Sequence, residues 1–304
     1  MPFWIVASVF AAFMQNLRFL LQRQLKVTTL STGGATWARF VFAVPFVGLA
    51  LICYKIASGQ EWPQPADGYW TFSVIGALSQ MLATACVVAL FARRNFYVGI
   101  TLKKSEVILT ALIGLVVLGE AVSPPVLLAI AVGFAGVIAL SDPPAGVGLA
   151  WRARVFNAAS GYGLASGLLF GVSAVCYRGA TLALDSGDAP LRAATALLTA
   201  TIVQSVSLGA YLALREKGEI ARVAASWRIS GLTGLTSMLG SLGWFTAFAL
   251  QTAAYVKAVG QIELVFTFLF SAFWLKERTS RGEVIGIGLI LLSLALILWA
   301  AWPG

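Results

Sequence analysis

The stretch Phe91–Ser123, FARRNFYVGITLKKSEVILTALIGLVVLGEAVS, occurs again 157 positions later as Phe248–Ser280, FALQTAAYVKAVGQIELVFTFLFSAFWLKERTS. At that one offset Glu106 meets Glu263, Thr110 meets Thr267, Glu120 meets Glu277 and Ser123 meets Ser280. The same offset pairs Phe13 with Phe170, Leu25 with Leu182 and Met81 with Met238, well beyond the stretch itself. Apolar coincidences carry little weight in so hydrophobic a chain. Acidic residues number only 12 in 304, so glutamates held at one spacing in both copies mark an internal duplication.

The duplicated unit is far too apolar for a water-soluble core. The chain is 59% hydrophobic and 11% charged, with a mean hydropathy of +0.88, and a lipid bilayer is the solvent that suits it. Ten apolar segments of about 20 residues, each long enough to cross a hydrocarbon layer as a helix, fall near 2–23, 33–56, 70–91, 97–118, 123–141, 161–183, 191–213, 229–250, 255–275 and 282–301. Their length favours helices over a barrel of short alternating strands. The expected fold is an all-α membrane protein with two inverted five-helix repeats, 1–150 and 161–304, joined by a cytoplasmic linker at 151–160. No basic region precedes the first span, so a cleaved leader is not expected.

Charge placement sets the expected orientation. After spans one, three, five, seven and nine lie Arg23, Lys26, Arg93, Arg94, Arg152, Arg154, Arg215, Lys217, Arg222, Arg228, Lys276, Arg278 and Arg281, 13 in all, against Lys55, Arg192 and Lys257 on the other side. The positive-inside rule then puts both termini outside the cytoplasm, and the inner (plasma) membrane is the expected location. Five helices per half is an odd number, so the second copy enters the membrane from the opposite face, as its opposite charge decoration requires. Trp37, Trp151, Trp227 and Trp274 on one side, and Trp4, Trp62, Trp70, Trp299 and Trp302 on the other, form the interfacial belts. The net charge of +9 is explained by this placement and needs no nucleic acid. Arg215–Arg228 reads as a charged amphipathic stretch along the cytoplasmic surface.

Ionisable residues inside a span mark pathways by default, because an unpaired charge there costs several kcal/mol. Glu106 lies about 13 Å into the fourth span at about 1.5 Å per residue, near the bilayer centre. Lys103, Glu106 and Thr110 share one helix face by the i, i+3, i+7 rule, matched by Gly260, Glu263 and Thr267 in the second copy. One reading has both glutamates lining a central polar cavity. The other has them as scaffold ion pairs, Glu106 with Lys103 or either with Arg18, Arg39 or Arg178. Further polar candidates for the cavity are Gln15, Asn16, Gln80, Ser237, Trp244, Lys104, Lys257 and Gln261. Glu120 and Glu277 read as structural, accepting hydrogen bonds at the start of the next helix, with Ser123 as N-cap ahead of Pro124. Cys53, Cys86 and Cys176 lie within spans as apolar fillers, and histidine is absent. No metal spacing, cofactor motif or catalytic set is present in the sequence.

The ten spans, the duplicated halves and the closing hairpins LGEAVS and LKERTS resemble the drug/metabolite transporter superfamily, in its EamA-like ten-helix branch. The resemblance spans essentially the whole chain. It implies a carrier for a small-molecule substrate in the lipid bilayer, monomeric or weakly dimeric, with no enzyme activity. It also implies alternating access around a cavity lined by helices 1, 3, 4, 6, 8 and 9, with helices 5 and 10 peripheral. The first helix lacks the acidic residue of the four-helix multidrug relatives. The embedded lysines point to export or exchange of an amino acid, or of another solute bearing carboxylate or phosphate. A multidrug or cationic-amine exporter is the alternative, and a channel or membrane enzyme stands further off.

Overall fold

The computed structural model describes residues 2–90, 102–140, 158–269 and 281–300. In chain order the helices are α1 Phe3–Thr28, α2 Thr32–Val41, α3 Ala43–Ser58, α4 Tyr69–Leu90, α5 Glu106–Leu118, α6 Pro124–Leu140, α7 Ala158–Leu182, α8 Ala189–Arg215, α9 Glu219–Ala225, α10 Trp227–Leu250, α11 Ala253–Val259, α12 Ile262–Leu269 and α13 Arg281–Ala300. Among the described residues five stretches are long and apolar enough to cross a membrane: Phe3–Thr28, Thr32–Ser58, Tyr69–Leu90, Ala158–Leu182 and Ala189–Arg215. Arg93, Arg94, Trp151, Arg152, Arg154, Trp274, Lys276, Glu277, Arg278, Ser280 and Trp302 lie outside the described residues, as does most of the expected linker.

The repeat offset is visible in the element bounds. Shifted by 157, the α2–α3 pair at 32–58 lands on 189–215, the bounds of α8. Shifted likewise, α6 at 124–140 lands on 281–297, inside α13. Packing follows the same correspondence. α1 lies along α10 and α4 along α7, and each of these contacts is the image of the other under the offset, while α6 packs against its own counterpart α13.

Small residues let these helices approach closely, as packing within lipid favours. On α4, a Cβ at Gly76 would fall 2.9 Å from the Tyr177 ring of α7, and one at Gly179 of α7 would fall 2.9 Å from Phe72 of α4. α6 and α13 meet so tightly that a Cβ at Gly136 would fall 2.8 Å from the Gly286 carbonyl oxygen. Ser293 of α13 also donates to the Ala129 carbonyl at 2.6 Å.

The second span is two helices rather than one. Pro45 lacks an N–H and its ring crowds the carbonyl four residues earlier, at Val41, so α2 ends there and α3 resumes after a bend at Phe42. A Cβ at Gly234 of α10 would fall 2.5 Å from the Phe42 carbonyl carbon, so α10 is seated on that bend. The architecture is also not purely helical. β1 Gln64–Pro65 and β2 Leu184–Asp185 pair antiparallel, with Gln64 opposite Asp185 and Pro65 opposite Leu184.

Connections group at two ends of the bundle. At one, the Glu219 carboxylate accepts from the Ser31 N–H at the start of α2, where unpaired N–H groups and the helix dipole favour an anion. Its buried side chain, paired with Arg222, turns the stretch 215–228 into a docked short helix, α9. At the other end lie the β1–β2 pairing, the Tyr54 hydroxyl donating to Asp188 at 2.9 Å, and a 2.8 Å ion pair between Arg178 and Glu120. That last contact corrects the expected role of Glu120: it receives Arg178 of α7, and Arg178 also donates to the Phe248 carbonyl of α10. Ser123 precedes α6 as expected and its carbonyl accepts from Val126 and Leu127 N–H, while its hydroxyl turns to Tyr255 at 3.0 Å.

Candidate functional site

Two helices lose their regular winding at matching places. Before α5 the chain turns at Lys104–Ser105, and between α11 and α12 it turns at Gly260–Gln261. Three-residue hydrogen bonds replace four-residue ones there: Ser105 N–H to Leu102 and Val107 N–H to Lys104 in the first copy, Gln261 N–H to Ala258 and Glu263 N–H to Gly260 in the second. Glu106 opens α5, and Glu263 sits in the first turn of α12. A carboxylate at the start of a resumed helix faces free N–H groups and the positive end of the dipole. Both copies carry the same local clasp. Thr110 donates to the Glu106 carbonyl at 2.6 Å, and Thr267 to the Glu263 carbonyl at 2.9 Å.

The charges of the two halves are interleaved. Lys104 Nζ lies 3.1 Å from Glu263 Oε2, and Lys257 Nζ lies 3.4 Å from Glu106 Oε1. Each repeat glutamate is thus paired with a lysine of the other half, and the Lys103–Glu106 pair does not form. The broken winding explains it, because the i, i+3, i+7 stripe assumed an unbroken helix. Lys103 instead stands over the rings of Phe19 and Phe170, at 5.0 and 5.1 Å. Lys257 also lies 5.1 Å from the Trp244 ring centre.

Gln15, Lys104, Glu106, Val107, Trp244, Lys257, Gly260, Gln261 and Glu263 surround one cavity of about 10 Å³, room for roughly one water. Gln15 holds its wall together, donating to Glu263 Oε2 at 2.9 Å and accepting from Trp244 Nε1 at 3.2 Å. Asn16 stands behind, donating to the Glu263 backbone carbonyl at 2.8 Å and accepting from Thr267. A Cβ at Gly260 would fall 2.6 Å from the Trp244 ring, which is why the second copy has glycine where the first has Lys103. Among the described residues, Glu106 Oε2 and Gln261 Oε1 are buried without a hydrogen-bond partner.

The other expected site residues lie elsewhere. Thr110 is fully buried against Gly171 of α7 and is not among the residues around that cavity. Gln80 and Ser237 line a second cavity of about 10 Å³, together with Thr201, Gln204 and Ser241. There Gln80 Oε1 accepts from Tyr177 and from Gln204, at 3.0 and 2.8 Å. Arg39 donates to Ser237 at 3.0 Å and to Thr84 at 2.8 Å. Tyr177, Thr201 and Gln204 were not among the expected residues, and isolated polar groups in apolar helices offer little signal. Arg18 and Arg39 were expected as partners for the glutamates or as links between helices, although an arginine inside a span is itself such a signal.

Residues 158–299 match the EamA-like transporter family. That match covers a little under half of the chain and supports a place in the drug/metabolite transporter superfamily. Together with the five membrane-long apolar stretches it indicates a multi-pass membrane protein, and members of the matched family are transporters rather than enzymes. No curated protein matches the chain. A crystal structure described only as that of a protein superposes with a TM-score of 0.68, over 98% of this chain and 96% of its own, at 15% identity. At that identity the likeness speaks for the fold alone.

Proposed function

We propose that this protein is an alternating-access carrier that exports or exchanges a small solute bearing carboxylate or phosphate, an amino acid being the nearest fit. The observation that carries the reading is the charge of the interior. Arg18, Arg39, Lys103, Lys104 and Lys257 are buried or nearly so in the helices around the two cavities, against Glu106 and Glu263 as their carboxylates. Uncompensated cations at membrane depth are costly, and an anionic guest offsets that cost. The low-dielectric setting also strengthens its attraction to them.

Alternating access is supported by the reciprocal packing of the halves, by helix breaks at equivalent places, and by ion pairs that cross from one half to the other. Such breaks at mid-membrane are where inverted-repeat carriers hold their substrates. On this reading ten spans form two inverted five-helix repeats, 1–150 and 161–304, with the linker between, in the inner membrane. The small cavities belong to an occluded state.

Counterflow in proteoliposomes tests the proposal. Vesicles preloaded with unlabelled amino acids, dicarboxylates or phosphate esters are expected to take up the matching labelled solute faster, and saturably, than empty ones. Exchange of quaternary or primary amines alone would favour the cationic-amine exporter, whose supporting observation is the unpartnered Glu106 oxygen. Non-saturating flux would identify a channel.

A further inference from the structure

We infer that Arg18 of α1 and Arg39 of α2 form an anion-binding subsite, separate from the lysine–glutamate cluster, that holds the carboxylate or phosphate of the transported solute. It rests on the carrier reading above and deepens it. The lysines are poorly placed to hold that anion, because Lys104 and Lys257 already face carboxylates and Lys103 is spread over two aromatic rings.

The arginines also lie over rings, Arg18 4.1 Å from the centre of Phe19 and Arg39 4.9 Å from that of Phe40, but no carboxylate is matched to them among the described residues. Both are almost wholly buried, at 2% and 3% exposure, and neither has a carboxylate in salt-bridge range among the described residues. Arg18 donates from Nη1 to Gln22 Oε1 at 2.7 Å, and Gln22 donates in turn to the Ala35 carbonyl. Arg39 follows Ala35 by one helical turn, which brings the two arginines into one locality, and Arg18 feels the charge of Arg39 as well as the opposite charge of Glu263. Arg18 Nη2 is buried with no hydrogen-bond partner among the described residues. Native structures rarely leave such a donor unfilled without a functional reason.

The pair also lies between the two cavities. Arg18 follows Gln15 of the first cavity by three residues on the same helix face, and Arg39 grips Ser237 of the second. Planar guanidinium groups match carboxylate and phosphate oxygens two at a time, which an ammonium does not. Thr84 and Ser237 steady Arg39 from behind.

Thermal unfolding of the purified full-length protein tests this with sodium phosphate and sodium acetate as probes, against sodium chloride at equal ionic strength. The parent is expected to melt at higher temperature in phosphate or acetate, saturably. In Arg18→Met the half-saturating concentration should rise about tenfold or more, as the loss of a two-pronged contact implies. Its melting temperature without probe should hold or increase, because an unpaired buried donor has been removed. Arg39→Lys keeps the charge and the fold, and should still weaken the response several-fold. Lys217→Ala, at an exposed position outside the bundle, should leave the phosphate response as in the parent. The inference is overturned if neither probe stabilises the parent. It also fails if Arg18→Met melts much lower while its surviving fold responds normally, which is the signature of a structural arginine. Counterflow that persists in Arg18→Met and Arg39→Lys with unchanged half-saturation sinks the subsite and leaves the carrier reading standing. Absence of counterflow in the parent sinks the carrier reading itself.

Discussion

Lys104 and Glu263 are 159 positions apart and 3.1 Å apart in space, and no spacing rule connects them. The glutamates themselves were legible, since charge is scarce in a membrane span and these two recur at one offset. Their partners were not. Which lysine meets which carboxylate depends on how the two halves dock and on helix breaks that displaced Lys103 from the assumed stripe. The cross-pairing carries a residue-scale prediction. Lys104→Met strands the Glu263 carboxylate with Gln15 as its remaining side-chain donor among the described residues, and should destabilise by about 3–5 kcal/mol, as removal of one member of a buried pair does. The double variant Lys104→Met/Glu263→Met should recover most of that loss, because two apolar side chains in contact need no compensation. Melting temperatures of the parent, both single variants and the double variant, read as a cycle, check it. Additive effects would mean that the two residues do not act as a pair.

At the scale of elements, apolar length located the five membrane-long stretches of the structure, while the interruptions were only partly readable. Pro45 announces the bend between α2 and α3, yet nothing so explicit marks Lys104–Ser105 or Gly260–Gln261. Tertiary contacts set those turns. A Cβ at Gly167 of α7 would fall 2.9 Å from the Lys103 carbonyl, so α7 lies directly against the first break. Helix α10 offers a controlled comparison of such contacts. Gly231 and Gly234 lie one turn apart on it, and a Cβ at Gly231 meets open space whereas one at Gly234 collides with the Phe42 backbone. Gly234→Ala should therefore destabilise by about 1–3 kcal/mol through overpacking. Gly231→Ala should leave stability unchanged or raise it by about 0.5–1 kcal/mol, by removing backbone freedom from the unfolded chain. Thermal unfolding of the two purified variants checks the pair, and equal effects would mean that α10 does not rest on the bend.

For the whole molecule, the charge bias and the contacts between connections converge on one topology. Connections after odd-numbered spans and those after even-numbered spans were assigned to opposite faces from lysine and arginine placement alone. In the structure the Ser31–Glu219 bond joins two connections of the first set, and the β1–β2 pairing joins two of the second. No bond of this kind was used in counting charges, so the agreement is independent. The contacts group the connections into two sets, and the charge bias alone proposes the cytoplasm for the α8–α9 turn and the outer face for the loop between α3 and α4. Gln60 and Lys217 are exposed representatives of the two sets. With Cys53, Cys86 and Cys176 replaced by alanine, Gln60→Cys should react with a membrane-impermeant maleimide on intact cells. Lys217→Cys should react only after the membrane is opened. The reverse pattern would turn the molecule over and move both termini to the cytoplasm. Labelling of both positions from outside would break the assignment of these connections to opposite faces, and with it the odd number of crossings per half that makes the repeats inverted.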